Sequence, residues 1–127
     1  MGLYLIDTNV ISDYFMASMP LNGLQFMDNV IDDIPNLSVI SQIELLCWKT
    51  DAAMERQIRN FLSDSIIFNI TTTIIDNCVN IRRNKKVKTP DAIIAATAVA
   101  HGHILITNNE KYFININGLN IINPLKL

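Results

Sequence analysis

Leu3-Tyr4-Leu5-Ile6-Asp7-Thr8-Asn9-Val10-Ile11 packs three structural signals into nine residues. The apolar run Leu3–Ile6 reads as a short buried strand, Asp7-Thr8-Asn9 are residues that cap helices, and the periodic apolar segment from Val10 to Met16 reads as a helix. Strand, turn and helix in that order open an α/β fold. Moving outward, Pro20 and Asn22-Gly23 break the chain, and Leu24 to Ile34 forms a second helix whose Asp28, Asp32 and Asp33 face water. Pro35-Asn36 stops it, Leu37–Ile40 is a second strand, and Ser41-Gln42-Ile43-Glu44 opens a helix with capping-box spacing. Helices over Asp51–Leu62 and Thr71–Asn84 flank a β-branched strand at Ser65–Ile70. Thr89-Pro90-Asp91 starts a further helix, with Thr as N-cap and Pro at the first position.

From Ala92 to Ala100 nearly every residue is apolar and many are Ala, so this helix belongs in the core. His101-Gly102 ends it, Ile104–Ile106 is a fourth strand, Thr107-Asn108-Asn109 a polar turn, and Leu119–Ile122 a last edge strand. Strands separated by helices imply a mostly parallel central sheet with helices on both faces and right-handed crossovers. Repeats and linkers are absent, and the 127 residues read as one domain, 1–127, able to bury roughly two-thirds of its unfolded surface.

Half of the residues are hydrophobic and 17% are charged, a surplus of apolar surface that fits a partner. Apolar runs fall short of the roughly 18–20 residues that cross a bilayer, and Met1-Gly2-Leu3-Tyr4 lacks the basic start of a signal peptide, so a cytoplasmic protein without membrane contact is expected. Cys47 and Cys78 stand alone in apolar surroundings and read as buried, reduced thiols. The net charge of −2 gives no global positive field, so any nucleic-acid contact must be local. Arg82, Arg83, Lys85, Lys86 and Lys88, half of the ten basic residues, supply one place for it. Taken alone they read as a solvated helix end whose cations complement the helix dipole.

Ligands of parallel sheets sit beyond the carboxyl ends of the strands. Asp7 closes the first strand, Glu44 follows the second by a turn, and Asn109 follows the fourth. Asp91 joins them only if the fold returns the start of its helix to the same rim. Converged, these groups form an oxygen-rich cluster without His or Cys, which suits Mg²⁺ or Mn²⁺ rather than zinc. A divalent ion would relieve the repulsion among the carboxylates, bind a phosphodiester oxygen and acidify a water for in-line attack at phosphorus. Each residue also has a structural reading: Asp7 caps a helix, Glu44 completes a capping box with Ser41, Asp91 is a favourable first-turn anion, and Asn109 bonds its own turn. His101 and His103 are given no catalytic part, since one pair specifies little.

Four segments decide between these readings: Leu5-Ile6-Asp7-Thr8-Asn9-Val10-Ile11, Ser41-Gln42-Ile43-Glu44-Leu45, Thr89-Pro90-Asp91-Ala92-Ile93-Ile94-Ala95-Ala96-Thr97-Ala98 and Leu105-Ile106-Thr107-Asn108-Asn109. In wording, order and spacing they resemble the PIN-domain family, and they run through almost the whole chain. The resemblance implies the three-layer PIN-like fold, with Asp7, Glu44 and Asp91 as acidic site residues that bind Mg²⁺ or Mn²⁺. It puts Asn109 at a fourth site position that is often Asp, and Tyr112 where a further acidic residue commonly precedes Phe113, which points to one tightly held ion. Thr8, Asn9 and Thr107 would support the first aspartate. Within that family a free-standing chain of this size is similar to a VapC toxin. This implies a ribonuclease of a type II toxin–antitoxin pair that acts on tRNA or ribosomal RNA, forms a homodimer and is restrained by a cognate antitoxin. The basic stretch Arg82–Lys88, just before Asp91, would then contact the RNA.

Three rivals have distinguishing marks. A response-regulator receiver needs an acidic pair after the first strand and a phosphoacceptor Asp after the third, where this chain has a lone Asp7 and Ile70-Thr71. A non-catalytic PIN fold that binds RNA or metal would show no turnover, and a structure-specific DNA nuclease would prefer DNA.

Overall fold

The computed structural model describes residues 3–127. Met1 and Gly2, part of the segment on which the absence of a signal start was read, lie outside the described residues. The elements run β1 (Tyr4–Ile6), α1 (Thr8–Phe15), α2 (Leu21–Asp32), β2 (Asn36–Ser38), α3 (Val39–Cys47), α4 (Ala52–Ser63), β3 (Ile66–Phe68), α5 (Thr72–Asn84), α6 (Thr89–His101), β4 (Ile104–Ile106), α7 (Glu110–Phe113) and β5 (Ile121–Ile122), followed by a 3₁₀ turn at Pro124–Lys126.

All the strand pairs are parallel. β4 pairs with β1 (Leu5 opposite Leu105) and with β5 (Leu105 opposite Ile121), while β2 pairs with β3 (Leu37 opposite Ile67). β1 and β2 pack side by side without a backbone ladder. The Asn36 side chain closes that seam by donating Nδ2–H to the Tyr4 carbonyl at 3.0 Å. The order in space is therefore β3-β2-β1-β4-β5. The chain grows outward from β1 through β2 to β3, then crosses to β4 and β5. The reversal falls between β1 and β4, where the carboxyl ends of parallel strands leave a crevice.

Alternation of side chains sorts the core into two layers. Leu5 and Leu105 face α5 and α6, whereas Ile6 and Ile106 face Val10, Met27, Leu45 and Ile58 from α1 to α4. In α6, Ala92, Ala95, Ala96 and Ala98 are fully buried, and their small side chains let this helix lie close to α5 and the sheet. Gly102 ends α6 at φ +66°, a left-handed conformation that glycine adopts without a Cβ penalty. Among the described residues no helix is long and apolar enough to cross a membrane.

Several local expectations change. Asn22-Gly23 does not break the chain: α2 runs through both, and a Cβ on Gly23 would stand 2.4 Å from the Pro124 carbonyl oxygen. This glycine serves a close approach between α2 and the C-terminal turn. The second strand ends at Ser38, which caps α3 by accepting from Ile40 N–H at 3.1 Å. Ser41 and Glu44 are thus interior to α3 and form no capping box. Lys88, not Thr89, occupies the N-cap of α6, which shifts Pro90 inward by one position. Cys47 is exposed, while Cys78 is buried as expected. α7 interrupts the expected loop after β4; four residues are too few to show helical periodicity.

Candidate functional site

Asp7 is the most constrained carboxylate of the crevice. It leaves β1 directly, its N–H donating to Ile106 O at 2.9 Å, and it takes the N-cap position of α1. Oδ1 accepts from the Thr8 N–H at 2.8 Å and Oδ2 accepts from the Thr107 hydroxyl at 2.8 Å. Thr107 follows β4 and is fully buried, so the start of α1 and the turn after β4 together fix both oxygens. Only 3% of Asp7 is exposed. Burial pushes its pKa up to about 6, and the charges of Asp91 and Glu44 add to the rise against the lowering by its two hydrogen bonds.

Asp91 stands in the first turn of α6 and is partly buried. Burial and then the Glu44 charge raise its pKa, and Lys88 opposes the shift. Asp7, Glu44 and Asp91 face one cleft, so the fold does return the start of α6 to the rim, the step that sequence spacing left open. All three line one cleft of about 470 Å³, together with Thr8, Asn9, Ser12 and Trp48.

Glu44 is exposed and held differently. Thr8 Oγ1 lies 2.6 Å from Glu44 Oε1 and 2.9 Å from Ser41 Oγ. A hydroxyl carries one proton, so Thr8 donates to the carboxylate while Ser41 donates to Thr8. The Ser41–Glu44 spacing, which reads in the sequence as a capping box, instead lets one face of α3 grip α1. Thr8 therefore steadies Asp7 through its backbone and Glu44 through its side chain. Asn9 lines the cleft without a hydrogen bond to Asp7, and its carbonyl accepts from Ser12 Oγ at 3.0 Å.

Asn109 is partly buried and precedes α7; its N–H donates to Thr107 Oγ1 at 3.0 Å, and it does not line the cleft. Of the basic stretch, Lys88 comes near enough to Asp91 to act on its charge. Arg82 donates Nε–H to Val87 O at 3.1 Å and so ties the end of α5 to the α5–α6 turn. Arg83 lies with Arg82 and Thr89 along a separate depression, and Lys86 is exposed on the turn. His101 stacks on Phe68 and on His103, His103 lies tilted against Phe68, and the buried Nδ1 of His103 has no hydrogen-bond partner. Two contributors escape a sequence reading: Ser41, whose function is set by Thr8 on another helix, and Trp48, which follows α3.

The donor chemistry of the cleft, carboxylate and hydroxyl oxygens, fits a hard divalent cation. Among the described residues no group of three or more His, Cys, Asp or Glu side chains is arranged to hold a metal ion. An ion here would therefore keep much of its water. That is the habit of Mg²⁺, which is commonly held by one or two carboxylates.

Comparison with known proteins gives a consistent answer. A family model described as PIN domain matches residues 4–119. Among solved structures, a toxin–antitoxin complex from Klebsiella pneumoniae contains a chain 32% identical with a TM-score of 0.75, covering 95% of this chain and 97% of that one. DNA-bound VapBC from Salmonella typhimurium is similar at a TM-score of 0.78 and 24% identity, covering 98% of this chain and 99% of that chain. VapBC2 from Rickettsia felis, bound to a fragment of promoter DNA, is similar at 0.77 and 21%, covering 94% and 97%. A comparison with curated proteins finds no match.

Proposed function

This chain belongs to the PIN-domain family, and from that premise we propose that it is a Mg²⁺- or Mn²⁺-dependent endoribonuclease, the toxin of a type II toxin–antitoxin pair acting in the cytoplasm. The observation that carries the proposal is Asp7: a buried carboxylate with both oxygens pinned, sharing an open cleft with Asp91 and Glu44. Burying a carboxylate at so unfavourable a site costs stability, and an ion bound between like charges offsets that cost.

Asp7 and Asp91 are the residues that would hold the ion, with Glu44 as a third, outer carboxylate. Bound there, the ion supplies a Lewis acid that neutralises phosphodiester charge and makes a nearby water more acidic. Thr8 and Thr107 keep the carboxylates in place, so little reorganisation is needed when substrate arrives. Thr8 occupies Glu44 Oε1, which leaves Oε2 to take a proton from the attacking water. Lys88, beside Asp91, is the cation best placed to receive the RNA backbone. Asn109, uncharged and outside the cleft lining, contributes through the turn that carries Thr107.

The toxin reading draws on the similarity to the Klebsiella pneumoniae complex over nearly the full length of both chains. Exposed Ile43, Leu46, Ile75 and Val79 on α3 and α5 give apolar surface for a second copy of the chain. A groove of about 590 Å³ between α1, α2 and α4, with Phe15, Ile31 and Phe61 in its wall, gives room for an antitoxin segment.

The test is cleavage of a tRNA and ribosomal RNA pool by the purified protein with Mg²⁺ or Mn²⁺, beside single- and double-stranded DNA. Discrete RNA fragments that disappear with chelator, and fall at least about a hundredfold with Asp7→Asn, are expected. Asn is as good an N-cap as Asp, so the variant keeps α1. Absence of cleavage by folded, metal-supplied protein would replace the enzyme with a non-catalytic RNA- or metal-binding PIN module, and preference for DNA would replace the substrate.

A further inference from the structure

Trp48 is the protein's single tryptophan and stands where α3 gives way to extended backbone, at φ −68° and ψ 120°. Its N–H donates to Leu45 O at 3.2 Å, which closes the last turn of the helix. The indole packs against the core layer of α1 to α4 yet remains partly exposed, and it lines the same cleft as Asp7, Glu44 and Asp91. The cleft is thus acidic in one part and aromatic in another. Asn9 and Ser12 also line it and carry polar groups to the same space.

This composition poses a binding problem. A cleft with three carboxylates, in a protein of net charge −2, repels the phosphate backbone, so long-range attraction cannot supply much affinity. A volume of about 470 Å³ also exceeds what a phosphate group alone would fill. Stacking on an aromatic face gives binding that charge does not oppose, and every nucleobase has such a face. The free amide of Asn9 offers both a donor and an acceptor to the edge of a stacked base.

We propose that Trp48 is the stacking face of a nucleobase subsite, which takes one unpaired base adjoining the phosphodiester held at Asp7 and Asp91. The proposal rests on the ribonuclease reading above and adds what recognises the substrate: a single-stranded nucleotide, read by stacking and by Asn9. Cleavage is then confined to loops or other unpaired stretches, because a base inside a duplex has no free face to offer.

Tryptophan emission reports on Trp48 alone, which makes the test direct. Full-length Asp7→Asn protein in Mg²⁺ is titrated with a six-nucleotide single-stranded RNA, an abasic ribose-phosphate strand of the same length, and inorganic polyphosphate. Saturable quenching by the RNA but not by the abasic strand or polyphosphate is expected. In the same Asp7→Asn background, Trp48→Leu should weaken RNA binding about tenfold or more, and Trp48→Phe should restore most of it. Equal responses to all three probes would overturn the subsite, as would unchanged affinity in a folded Trp48→Leu protein. If Trp48→Leu fails to fold, the emission titration decides alone. The two readings fail separately: RNA cut by the wild-type protein with no base-dependent quenching removes only the subsite, whereas quenching without cleavage removes only the nuclease.

Discussion

Asp7 and Glu44 are carboxylates of one cleft held in opposite ways. Asp7 is buried, bound by a backbone N–H and by a buried hydroxyl from the turn after the neighbouring strand. Glu44 is exposed, on a helix, and bound by a hydroxyl that is itself held by Ser41. The first arrangement gives a charge that is destabilising and immobile; the second gives one that is solvated and adjustable. A cation site needs the former to fix the ion, and proton transfer is served by the latter, which can reach solvent.

The sharpest way to break this contrast is to discharge the buried member. Folding raises the Asp7 pKa from 3.8 to about 6, so the folded state binds more protons than the unfolded state between those values. Stability of metal-free protein should therefore fall as pH rises from about 4 to 6 and level off above, with a total loss on the order of 3 kcal/mol. Asp7→Asn should remove that slope and melt higher than wild type at pH 7 in chelator. Thermal melts across pH in the two proteins check this, and identical pH profiles would show that Asp7 is not strained.

A smaller effect is expected from Thr107→Val, which keeps the shape but leaves Asp7 Oδ2 without its buried donor. Losing a hydrogen bond to a buried charged group should cost about 1–3 kcal/mol at pH 7, and the Asp7 pKa should rise further. At low pH, where Asp7 is protonated, the cost should shrink, so denaturant melts at pH 4 and pH 7 separate the charge effect from packing.

The smallest effect on stability belongs to Thr8→Val, about 1 kcal/mol: exposed Glu44 turns to water, and the cost falls on the buried Ser41 hydroxyl that loses its partner. Its effect on function should be larger, with the Mg²⁺ concentration needed for half-maximal RNA cleavage raised about tenfold. Equal losses of stability for Thr107→Val and Thr8→Val would erase the distinction between the two carboxylates.

Local chemistry made much of this molecule readable in advance. Capping residues Asp51 and Thr71 mark the helix starts where α4 and α5 begin, Gly102 marks the end of α6, and the Ala run of α6 announces a helix without a wet face. Asp7 is legible as a candidate because a carboxylate at a strand end is both a helix cap and a group at the rim where ligands of parallel sheets sit. Glu44 and Asp91 are legible as residues but not as neighbours of Asp7, since i to i+37 and i to i+84 separations carry no geometric information. Gly23 misleads because a glycine needed for close approach looks like one needed for a turn. Ser41 misleads for a related reason: its partner is Thr8 on another helix, while the sequence offers it Glu44 three residues away.

What the sequence determined by itself, the short α7 aside, is the strands and helices and their parallel arrangement, properties of periodicity, caps and composition within short windows, while Asp7, Glu44 and Asp91 stood out as site candidates through the resemblance of four segments to the PIN-domain family. Only the tertiary structure decided that α6 starts at the rim of the sheet, that Thr107 reaches Asp7 across β1 and β4, that Thr8 serves Glu44, and that Trp48 opens onto the carboxylates. Those are contacts between residues far apart in the chain, and they exist because burying the two faces of one small sheet leaves the strand ends and their adjoining turns a single crevice to share.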